Sequence, residues 1–199
     1  MPNLRLSAIV LILANLVPIY GVLNWGWSTS SVIALYWAEN WIIGALNIPR
    51  MWMARGAPRK AAFPLSVFFA LHYGFFTFIH GTFVFSLFGD GASAGDLLPG
   101  GPLFLTLLIL SGSHTVSFIV NYWMGGEYKT RAVQDQMFRP YGRIVVLHIV
   151  ILGGAMLVEA AGSPLPALLL LIGIKTAIDM MAHIKAHKMS NAKPGALRQ

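Results

Sequence analysis

The sequence contains no cysteine, which excludes disulfides, thiolate metal sites, Cys-x-x-Cys redox pairs and c-type haem attachment together. Any metal must then be held by His, Asp, Glu or backbone oxygen. Charge is nearly as scarce: 11% of residues are Asp, Glu, Lys or Arg and 56% are hydrophobic, whereas a soluble domain carries about 25% charged residues. A mean hydropathy of +0.67 excludes an ordinary water-soluble globule. Acids are the scarcer sign, with 7 against 14 Lys and Arg, for a formal net charge of +7. No DNA- or RNA-reading motif accompanies this excess. The cations stand between apolar runs, where anionic headgroups and topology account for them, so no nucleic-acid partner is expected.

What is present reads as an all-α polytopic membrane protein with six transmembrane helices, at residues 4–22, 31–51, 63–88, 102–124, 144–159 and 165–187, followed by a basic tail at 188–199. The first apolar run is read as a span, because Pro18 and Tyr20 stand where a signal peptide would need small residues. Basic residues follow the second, fourth and sixth spans and are missing after the first, third and fifth. By the positive-inside rule both termini are cytoplasmic. The polar stretch at 125–143 is expected at the membrane surface, and Gly153-Gly154 to permit close helix approach.

Ionisable groups inside such spans are costly, about 2.5 to 3.5 kcal/mol each on insertion scales, so they turn inward and mark candidate sites. In the last span Lys175, Asp179, His183 and His187 recur at four-residue steps and form one slowly turning polar stripe. Glu39, His72, His114 and Asp179 lie about eight to eleven residues in from the cytoplasmic ends of four spans. At 1.5 Å per residue that is one layer roughly 12 to 17 Å deep. His148 is slightly shallower and Lys175 slightly deeper.

Two readings of this layer compete. In the first it is a metal site: zinc or another transition metal on His72, His114 and His183, with Glu39 or Asp179 as a further ligand or general base, and Asn40, Tyr73, Ser113, Asn121, His148 and Lys175 orienting them. In the second the same groups tie helices together, for example through a Glu39 to Lys175 ion pair. A bis-histidine haem b, using His72 or His80 with His114 or His148, is a further candidate. Trp25, Trp27, Trp37, Trp41, Tyr122 and Trp123 read as interfacial anchors, and the arginines of FRPYGR at 138–143 as contacts for headgroup phosphate.

The segments YWAENWIIGALNIPRM (36–51), HYGFFTFIHGTFVF (72–85), NYWMGGEY (121–128), FRPYGRIVVLH (138–148) and KTAIDMMAHIKAH (175–187) resemble a bacterial family of small six-helix membrane proteins catalogued as a domain of unknown function. The resemblance covers nearly the whole chain. It implies a bacterial inner-membrane protein and carries no activity. Asp179, His183 and His187 are similar in kind to the intramembrane zinc ligands of adiponectin receptors and alkaline ceramidases, which have seven helices and an early Ser/His motif without a match here. Ser113 and His183 resemble the rhomboid protease pair, but SGSH at 111–114 lacks the second glycine of GxSG. The functional expectation is a metal-dependent membrane hydrolase acting on a lipidic substrate. The alternatives are a non-catalytic subunit or assembly factor of a membrane complex, a haem b redox protein, and an ion- or proton-coupled carrier. Expected partners are membrane lipids, other members of a membrane complex, or further copies of the chain.

Overall fold

The computed structural model describes residue 16 and residues 18–24, 26–55, 59–88, 93–163 and 165–191; the side chains of 59, 61, 179 and 182–191 lie outside that description. The described residues are all-α, with six α-helices and no strand. These are α1 (Thr29–Met53), α2 (Arg59–Leu87), α3 (Phe104–Ser117), α4 (Val133–Phe138), α5 (Tyr141–Ala161) and α6 (Leu165–Asn191). Residues 18–24 are also helical, and most of the expected first span, 4–22, lies outside the described residues.

Local chemistry sets several boundaries. Ser28 accepts the amide N–H of Ser31 at 3.4 Å and caps α1. Gly162 takes φ +63 and closes α5 with its N–H on the Val158 carbonyl at 2.8 Å, a left-handed cap that an L side chain rarely adopts. The fourth span is not one α-helix: after Ser117 the chain passes into a π-helical turn, Phe118–Met124. The polar stretch at 125–143 is more structured than its composition suggests. It holds a 3-10 turn at Glu127–Thr130 and then α4, whose Val133, Gln136 and Met137 are buried.

Three helical runs, Ala62–Leu87, Phe104–Met124 and Val133–Ala161, are long and apolar enough to cross a membrane, and Leu165–Ile178 is a shorter apolar run. Large apolar side chains cover the outside, among them Leu71, Phe75, Leu105, Ile109 and Met156. Such a surface is costly in water and costs nothing in lipid tails, which are as apolar as leucine.

Two clusters hold the bundle. At one end Ile33, Val84, Leu147, Val150, Ala167 and Leu171 join α1, α2, α5 and α6. At the other, Met51, Phe69, Tyr73, Val133, Met137 and Ile144 join α1 and α2 to α4 and the start of α5. Trp37, expected near an interface, instead ties α1 to α2: its Nε1–H donates to the Thr77 carbonyl at 2.7 Å and its ring meets Phe85 edge-on. Helix α3 stands apart. It packs chiefly on α1 and buries none of its own residues.

At Gly154 α5 and α6 approach closely: a Cβ there would lie 2.9 Å from the Ala167 Cβ and 3.3 Å from the Phe88 ring. At Gly112 on α3 a Cβ would meet nothing within 4 Å. Gly154→Val is expected to lower stability by about 1 to 3 kcal/mol through overpacking. Gly112→Ala is expected to be neutral or to gain up to about 1 kcal/mol from helix propensity. Thermal unfolding of both variants in one detergent checks this, and equal shifts would refute the close approach.

Candidate functional site

Glu39 sits midway along α1 and collects two partners from other helices. His114 of α3 donates Nε2–H to its Oε1 at 2.6 Å, and Arg143 at the start of α5 pairs with its Oε2. The Arg143 guanidinium also donates from Nε to the Asn40 Oδ1 at 3.3 Å and lies over the Tyr36 ring, 4.6 Å from its centroid. Asn40 is fully buried, returns its amide to the Tyr36 carbonyl at 2.9 Å, and its own carbonyl accepts the Tyr73 hydroxyl at 3.3 Å. One carboxylate thus fastens α1 to α3 and α5. With Nε2–H engaged by Glu39, a neutral His114 ring keeps Nδ1 as its lone-pair nitrogen.

Below this pair lies a cavity of about 340 Å³, lined by Asn47, Arg50, Ser117, Asn121 and Tyr122 together with His114, Glu127, Arg139 and Arg143. Its charges do not balance. Glu39 answers Arg143, and Glu127 answers Arg139 at 3.6 Å. Arg50 makes no ion pair among the described residues. Its guanidinium lies beside the stacked Phe118 and Tyr122 rings, 5.6 Å from each centroid, and its buried Nε has no hydrogen-bond partner among the described residues. The Tyr122 hydroxyl donates to the Arg50 carbonyl at 2.7 Å and closes the floor. Beneath, Gln136 of α4 and Asn47 exchange bonds, Nε2–H to Oδ1 at 2.7 Å and Nδ2–H to the Gln136 carbonyl at 3.2 Å.

The remaining residues expected at the site fall elsewhere. His72 lies on an exposed face of α2, its Nδ1 2.9 Å from the Tyr141 hydroxyl and its ring stacked on Phe68. His148 pairs with His80, Nδ1 to Nε2 at 3.0 Å. The Phe76 carbonyl, 2.6 Å from His80 Nδ1, can only accept, so Nδ1 carries the proton; His80 Nε2 is then the acceptor and His148 the donor. Two of the imidazoles considered for haem b are therefore bonded to each other. Ser113 is exposed on α3, Asn121 donates to Ser117 Oγ at 3.2 Å, and Lys175 lines a separate cavity beside Glu39. Among the described residues no three His, Asp or Glu side chains gather as a metal site. The side chains of Asp179, His183 and His187 lie outside them.

A family model described as a family of unknown function, DUF6498, matches residues 2–196. The chain belongs to that family. No curated protein and no solved structure matches it. In this DUF6498 chain the sequence reading puts Glu39 and His114 at one level without bonding them to each other, and it does not include Arg143, Arg50, Asn47 or Gln136 among the site residues. Arg143 is the last cation before an apolar run, where an anchoring role is the usual one; the signal that could have found it is Glu39, the only acid of the second span, which needs a cation from another helix.

Removing one partner of an enclosed ion pair leaves the other uncompensated. Arg143→Met in the DUF6498 chain is expected to cost about 3 kcal/mol, and adding Glu39→Gln to restore most of it. Thermal unfolding of the single and double variants measures the coupling; additive losses would show that the pair is not a unit.

Proposed function

We propose that this chain is a six-span protein of the bacterial inner membrane, with both termini cytoplasmic, that binds an anionic lipid-type substrate in the arginine-lined cavity and hydrolyses it with His114 and Glu39 as the acid–base pair. The observation that carries the reading is the cavity's unequal charge: Arg50 lines it with no carboxylate in ion-pair range among the described residues, and His114, bonded to Glu39, lines it too.

A guanidinium held beside two aromatic rings offers a planar fork of N–H donors suited to phosphate or carboxylate. In hydrolysis His114 takes a proton from water, the water oxygen bonds to the acyl carbon or phosphorus, and the departing alkoxide takes that proton back from the imidazolium. Glu39 holds the ring tautomer and offsets the imidazolium charge, while Arg143 keeps Glu39 ionised and in place. This gives His114 the part of base, where the sequence also allows that of a metal ligand.

The lack of native cysteine makes topology directly measurable. With both termini inside, a thiol at Ala94→Cys is expected to react with an impermeant maleimide on intact cells, and one at Lys129→Cys only after lysis. The reverse pattern would overturn the orientation. For the site, protein purified in mild detergent and examined by mass spectrometry is expected to retain phosphatidylglycerol over phosphatidylcholine, and Arg50→Gln to lose that preference about tenfold or more. His114→Gln is expected to keep the lipid and lose turnover by about 10²-fold or more. A wild-type protein that holds no more phosphatidylglycerol than Arg50→Gln would sink the reading.

A further inference from the structure

The seam between α1 and α3 continues past Glu39. On the far side of the Glu39–His114 pair lies a second cavity, of about 360 Å³, whose walls include Val32, Leu35, Leu110, Leu171 and Ile172. Its two charged lining residues, Glu39 and Lys175, stand at the end nearest the pair. Two stripes make both cavities. On α1, Leu35, Glu39, Ile43, Asn47 and Arg50 recur at steps of three and four; Thr106, Leu110, His114, Ser117 and Asn121 do the same along α3 and its π turn. Residues so spaced share one face. Each stripe carries one member of the 2.6 Å pair at its middle, with Leu35 and Leu110 on one side of it and Asn47, Arg50, Ser117 and Asn121 on the other. From Leu35 to Arg50 the seam is roughly 22 Å long at 1.5 Å per residue.

We propose that this seam is the binding groove of one amphiphile: an anionic head against Arg50 and a single hydrocarbon tail in the cavity between Leu35, Leu110 and Leu171, with the intervening linkage level with Glu39 and His114. The inference rests on the anion-site reading above and adds the tail and its place. The two cavities match the two ends of such a molecule, polar to polar and apolar to apolar. A free inorganic anion or a tailless sugar phosphate would leave the wall of Val32, Leu35, Leu110, Leu171 and Ile172 without a partner. The groove also fixes direction: in the proposed topology the head lies at the cytoplasmic surface and the tail points into the membrane, as in a lipid of the inner leaflet.

The test compares dodecyl phosphate with inorganic phosphate, bound to the full chain in nanodiscs of phosphatidylcholine. Wild-type protein is expected to bind dodecyl phosphate on the order of a hundredfold more tightly than phosphate. Leu110→Trp and, separately, Leu35→Trp fill the apolar cavity and are expected to erase that advantage while leaving phosphate binding unchanged, which also reports that each variant is folded. Arg50→Gln is expected to weaken both ligands. Equal affinities for the two ligands in wild-type protein, or an advantage that survives both tryptophans, would overturn the tail assignment and leave the anion site standing. Absence of Arg50-dependent binding of either ligand would overturn the anion site itself.

Discussion

A carboxylate in the middle of an apolar helix is the constraint from which the rest of the architecture follows. Glu39 cannot face lipid, so α1 must turn it toward cations and donors on other helices, and Arg143 and His114 supply them. That requirement fixes the rotation of α1, of α3 and of the start of α5 in one step. It also explains why α3 stays attached at all. With none of its residues buried, α3 depends on specific bonds, since apolar contact between helices offers little advantage over contact with lipid.

The amide pair beneath it has a similar office. Asn47 and Gln136 exchange two hydrogen bonds in a fully desolvated setting and clasp α4 against α1. Replacing either one alone would strand the other's polar atoms, which is why such pairs specify a single packing arrangement. Together the carboxylate and amide layers convert a loose set of greasy rods into a bundle with one polar seam.

Helix existence and approximate ends were legible because long apolar runs leave little alternative: 63–88 corresponds to Arg59–Leu87, and 165–187 to Leu165–Asn191. Depth was legible too, since Glu39 and His114 do share a level. Rotation about each helix axis was not. In a soluble helix the polar face reveals the orientation, but here both the lipid-facing and the packed faces are apolar. His72 and His148 therefore turn to Tyr141 and His80 and not to Glu39. Arg143 escaped notice because the positive-inside rule already accounted for a cation there. Six spans and their orientation belong to the proposal, and the side chains of Asp179 and His183 lie outside the described residues.

The π turn at Phe118–Met124 has a consequence for how this helix is wired. A π turn carries an extra residue per loop of backbone, so positions after it are rotated relative to an uninterrupted α-helix. That offset swings Tyr122 inward, the one buried residue between Phe104 and Met124, and lets its hydroxyl latch onto the end of α1. The arm is thus pinned at two levels, by an imidazole above and a phenol below, with the softest stretch of its backbone strung between the pins.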